Sequence, residues 1–77
     1  MERENYQKAT ELLNQIRRID DVRELLRYGA GISVSKYMED EYKTANIPIE
    51  IHGEAAEFIL SLLKKRKKEL ENQFKEL

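Results

Sequence analysis

The segment RYGAGISVSKYMEDEYKTANIPIEIHGE, Arg27 to Glu54, lies between two stretches of helical periodicity, and the alternation of its apolar residues decides the fold. At its start, Gly29 or Gly31 is suited to end a preceding helix, because glycine enters the left-handed conformation at little steric cost. The period then drops to two. In ISVSKYM, Ile32, Val34 and Met38 fall on one side and Ser33, Ser35 and Tyr37 on the other, while in IPIEI the residues Ile47, Ile49 and Ile51 alternate with Pro48 and Glu50. Both patterns predict half-buried strands, over residues 32–38 and 47–51, joined into a hairpin by the long polar loop EDEYKTAN. Pro48 lacks an N–H and so predicts an edge on its side of the second strand. Two strands are marginal in water, so a helix or another subunit is expected beneath their isoleucines.

On the N-terminal side, Tyr6, Ala9, Leu12, Ile16, Ile19 and Leu26 recur at helical spacing with Arg23 as the one interruption, which predicts a helix over residues 3–28. Asp21 followed by Glu24 resembles a capping box, yet the stripe keeps its phase through Asp20-Asp21, which favours one long helix. On the C-terminal side, Gly53 and Glu54 open a helix over residues 54–77, with Glu54 and Glu57 placed where negative charge suits the helix dipole. Ala56, Ile59, Leu60, Leu63, Leu70, Phe74 and Leu77 share one face there, and Ala56, Leu63, Leu70 and Leu77 repeat every seven residues. The expected class is therefore α+β, with a long N-terminal helix, a two-stranded β-hairpin and a long coiled-coil-like C-terminal helix in a single domain, residues 1–77.

A chain of 77 residues buries too small a fraction of its surface to be comfortably stable alone, and without cysteine it has no disulfide staples. Of the two ways to satisfy the matched seams, an antiparallel pair or a multi-subunit bundle, the bundle is expected. Its interface would comprise Leu12, Ile16, Ile19 and Leu26 on the first helix and Ile59, Leu63, Leu70, Phe74 and Leu77 on the second.

Fourteen Lys and Arg balance fifteen Asp and Glu, which argues against a dedicated nucleic-acid binder. The lack of cysteine fits a reducing, cytoplasmic setting. No apolar run is long enough to span a membrane, and the charged start MERENYQKAT is not that of a signal peptide. The run LLKKRKKEL, Leu62 to Leu70, carries five adjacent cations, but a helix spreads them around its circumference. Lys64, Lys65 and Lys68 point away from the seam, Arg66 and Lys67 flank it, and Glu69 and Glu71 lie one turn away from Lys65, Lys67 and Lys68. A solvated helix face is the expectation, with their stems covering apolar surface.

No catalytic or metal signature emerges, and the chain is read as a non-enzyme without a cofactor. His52 has neither cysteine nor a second histidine to share a metal, which favours a structural role at the junction of strand and helix. Glu39, Asp40 and Glu41 lack the spacing of a calcium loop, Ser33 and Ser35 have no base in an identifiable relation to them, and GAG matches no phosphate loop. One constellation suits ligand binding: Arg23, Arg27, Tyr28, Lys36, Tyr37, Tyr42 and His52 bring cations and stacking surfaces toward one junction. Packing at element junctions is the competing role for the tyrosines.

The order of a heptad helix, the GAGISVS and IPIEI strands, and the terminal helix FILSLLKKRKKELENQFKEL resembles small proteins of phages and prophages. That resemblance implies a homo-oligomeric accessory protein, in its most concrete form a counter-defence factor that sequesters a small anionic ligand such as a cyclic nucleotide at a subunit interface. A protein-interaction or assembly module using the helical tail and strand edge is the alternative. Nucleic-acid binding through Lys64 to Lys68 ranks below both.

Overall fold

The computed structural model describes residues 2–77, ordered α1 (Arg3–Arg27), β1 (Ser33–Met38), β2 (Glu41–Asn46) and α2 (Ile49–Lys75). The layout is the expected α+β arrangement of helix, antiparallel hairpin and helix. α1 runs unbroken through Asp20-Asp21 and stops at Tyr28. Gly29, at φ +82°, takes the left-handed position, its N–H bonding to the Leu26 carbonyl while that of Ala30 reaches back to Leu25. This paired closure satisfies carbonyls that the end of a helix otherwise leaves open.

The second strand lies earlier than IPIEI. β2 is the polar segment EYKTAN, paired to β1 with Tyr37 opposite Tyr42, Ser35 opposite Thr44 and Val34 opposite Ala45. The expected long loop shrinks to Glu39 and Asp40, both at positive φ, the backbone that matches a two-residue turn to the twist of its strands. Neither strand packs against a helix and every strand residue is exposed. With no face to bury, the hairpin needs no apolar alternation, and its β-branched and aromatic residues suffice. The expected half-burial is thus absent.

Residues 47–51 instead make the entry to α2. The Ile47 N–H donates to the Ile32 carbonyl at 2.8 Å, Pro48 caps the helix with extended backbone, and α2 begins at Ile49. Proline suits that place because its missing N–H would have no intrahelical partner. Gly53, expected to open the helix, lies inside it.

α1 and α2 pack antiparallel within one chain, as shown by two contacts: His52 near the start of α2 meets Ala30 just past the end of α1, and Lys67 further along α2 bonds Asp20 further back on α1 at 2.7 Å. Leu12, Ile19 and Leu70 form the buried core, with Ile16, Leu63 and Leu77 packed on it, and Ala9 is buried nearby. Much of the expected inter-subunit seam is therefore spent inside the chain. Phe74 stays partly exposed at its margin, and Leu26 and Ile59 are half-buried.

Leu70 is only 1% exposed. Leu70→Ala is expected to destabilise the fold by about 2–4 kcal/mol, the usual cost of a buried leucine's cavity, read as a lower urea midpoint in circular dichroism.

Candidate functional site

Asp20, Glu24 and Arg27 leave α1 on one side of its core stripe, at about 100° per residue, and Leu60, Lys64 and Lys67 leave α2 on the same side of the pair. The space between them is an open groove of about 570 Å³ lined by Asp20, Arg23, Glu24, Arg27, Tyr28 and Lys67. A smaller neighbouring hollow of about 200 Å³ shares Arg23 and Arg27 with it and adds Leu60, Ser61 and Lys64. The volume lies in the range of small-ligand sites.

Four cations, Arg23, Arg27, Lys64 and Lys67, face two carboxylates in this groove. Asp20 takes up two of them, accepting from Lys67 Nζ at 2.7 Å and lying 3.8 Å from Arg23. Among the described residues Arg27 and Lys64 form no ion pair, which leaves the groove with positive character toward its hairpin end. Tyr28 stands at that end, 84% exposed, with its ring face open. The arrangement offers guanidinium and ammonium donors beside a free aromatic surface, the combination that holds a phosphate and stacks a base.

The seven residues expected at one junction divide into three places. Arg23, Arg27 and Tyr28 meet in the groove. Lys36, Tyr37 and Tyr42 ride on the hairpin, where Tyr37 and Tyr42 form a cross-strand pair and Lys36 lies on the opposite face against Lys43. Tyr37 Oη donates to Asp40 Oδ1 at 3.3 Å across the turn. His52 donates from Nε2 to the Ala30 carbonyl at 2.9 Å, tying the first turns of α2 to the end of α1. That bond gives His52 a structural task, holding together the two helix ends from which the hairpin springs.

Lys64 and Lys67 were not among the expected ligand residues, since the run Lys64 to Lys68 reads on its own as a solvated face. Their place depends on which side of α2 meets α1, and the signal was the position of Lys67 at the seam's margin. The ion pairs also differ from those expected within the helix: Arg66, not Lys65, bonds Glu69 at 3.1 Å, and Lys67 bonds Asp20 of α1 and not Glu71.

No protein-family model, curated protein or solved structure matches the chain. Among the described residues no group of three His, Cys, Asp or Glu side chains is placed to hold a metal ion, and no helix is long and apolar enough to cross a membrane.

Asp20 is the carboxylate that holds Lys67 and Arg23 in place. Asp20→Asn is expected to cost no more than about 1 kcal/mol in unfolding free energy, because the half-buried pair stays in contact with water, and to tighten binding of inorganic phosphate in a titration by freeing two cations.

Proposed function

We propose that this chain is a non-enzymatic binding protein that captures a small anionic ligand of the nucleotide class in the α1–α2 groove. One observation carries the proposal: Arg23, Arg27, Lys64 and Lys67 converge from two helices on a groove of ligand size beside an exposed tyrosine. Arg27 and Lys64 take the phosphate oxygens, since neither is neutralised by a carboxylate. Arg23 and Lys67 supply further field while Asp20 fixes their positions. Tyr28 supplies the stacking surface. Lys36, Tyr37, Tyr42 and His52 have no part in this site, being held on the hairpin or at the helix junction.

The four cations lie on two antiparallel helices around one concavity and not along one extended track, which favours a compact anion over a polynucleotide backbone. A cytoplasmic phage accessory role, including counter-defence by ligand sequestration, is the biological setting we attach to this site. Its support is the resemblance in layout of the sequence.

A protein-assembly role is the second reading, favoured by the hairpin. Both its strands are exposed and no helix covers either edge, so an extended partner segment has backbone groups to pair with. Truncating the tail after Arg66 does not separate the readings, because it removes Leu70 from the core. Exchanging the turn and strand residues 34–45 for a short glycine-serine link does, since the groove lies elsewhere.

Calorimetric titration at low salt with ADP and with inorganic phosphate tests the site. One ADP per chain is expected, with a loss of affinity of at least about tenfold in Arg27→Glu and in Lys64→Glu, the removal of a charge-assisted contact. Tyr28→Ala is expected to weaken ADP and spare phosphate. Unchanged ADP affinity in both charge-reversal variants, or no binding of either ligand, contradicts the proposal.

A further inference from the structure

The side of the helix pair opposite the groove has the reverse character. Val22 and Leu25 leave α1 there, and Ile51, Ala55, Phe58 and Leu62 leave α2, at positions 51, 55, 58 and 62 whose steps of four, three and four keep them on one stripe. The antiparallel pairing that sets Asp20 beside Lys67 also sets Val22 and Leu25 beside Leu62 and Phe58. The two short stripes thus merge into one apolar face on the hairpin-proximal half of the molecule. Phe58 is 70% exposed, Leu25 60% and Leu62 56%. A lone exposed leucine is ordinary, but a contiguous patch of this kind marks an interaction surface.

The dimensions of the chain say what covers it. Its accessible surface is 6761 Å², against about 4,900 Å² for a folded monomer of its 9.2 kDa mass by the usual scaling. The excess of about 1,800 Å² is shared between the uncovered hairpin and this helix face, and it is large enough to include the roughly 800 Å² that each partner contributes to a stable interface of ordinary size. The radius of gyration, 16.3 Å, likewise exceeds the roughly 11–12 Å of a compact domain of this length, and the narrowest extent is only 16 Å, a single layer of helices. A single layer with one apolar side is half of a two-layer structure.

We infer that the face formed by Val22, Leu25, Ala55, Phe58 and Leu62 docks the same face of a second copy, making a four-helix dimer. Self-pairing suits this surface because its centre carries no charge. An isologous contact lays one copy's phenylalanine and leucines on the other's without opposing like charges, and closes with no unpaired apolar edge left to propagate. Charged and polar residues bound the patch toward the helix tips, with Arg18 on α1 and Lys65, Arg66 and Glu69 on α2, as at the rim of an interface. The basic grooves then face outward on the two sides of the dimer. Each chain keeps its own site, so the ligand stoichiometry is one per chain, and no groove lies between subunits. This inference is independent of the anion-binding proposal.

Light scattering on a sizing column at tens of micromolar chain is expected to give about twice the chain mass, and Phe58→Asp and Leu62→Asp to give the single-chain mass with helical circular dichroism retained. Because the chain has no cysteine, single introduced cysteines give a second readout that holds even where an aspartate variant fails to fold. A short bismaleimide is expected to link Leu62→Cys chains in pairs and leave Glu24→Cys, on the groove side, unlinked. A monomeric parent, an assembly larger than two chains, or efficient linking of Glu24→Cys without Leu62→Cys overturns the inference. Arg27→Glu is expected to leave the dimer intact, so failure of the groove and failure of the interface are read separately.

Discussion

Leu70 closing against Leu12 and Ile19 is the contact on which the rest of the molecule depends. Among the described residues it is the one fully buried large side chain, and it fixes which side of α2 faces α1. Once that rotation is set, Lys64 and Lys67 fall on the side of Arg23 and Arg27, and Phe58 and Leu62 fall on the side of Val22 and Leu25. A rotation of α2 by one residue, about 100°, would mix the two sets. The division of this thin molecule into a basic side and an apolar side follows from a core of a few residues.

That core is small for the surface it must hold together. Four residues are buried among those described, and the hairpin contributes none of them. The local devices are correspondingly thorough: the left-handed Gly29 ends α1, Pro48 starts α2, and His52 bonds the Ala30 carbonyl between them. These contacts anchor the hairpin at its base, while its tip is held by the Glu39-Asp40 turn, the Tyr37 to Asp40 hydrogen bond and the Tyr37–Tyr42 cross-strand pair. Asp tolerates positive φ better than Glu does, so the turn carries some strain at Glu39.

Both helices were legible in the sequence, because apolar spacing of three and four persists over six turns of α1 and along α2. The second strand was not. Alternating isoleucines in IPIEI carry a stronger period-two signal than EYKTAN, yet Pro48 starts a helix there, and the true strand hides its identity because it packs on nothing. Coarse pattern also showed that the seams needed partners without showing that each was the other's partner within one chain. Of the candidate site, Arg23, Arg27 and Tyr28 were recoverable from one helix end. Lys64 and Lys67 were not, since their meeting with α1 depends on a pairing between residues 47 apart, as in Lys67 with Asp20.

Two contacts with opposite expectations test the central claim, that one chain closes its own two-helix core and presents a separate apolar face outward. In a sample mixed from isotope-labelled and unlabelled chains, filtered nuclear Overhauser spectra separate contacts within a chain from those between chains. The structure predicts Leu12 to Leu70 contacts only within a chain, and the inferred dimer adds contacts of Phe58 with Val22 or Leu62 methyls between chains. Leu12 to Leu70 contacts between chains would contradict it, because the helices would then find their partners in different molecules.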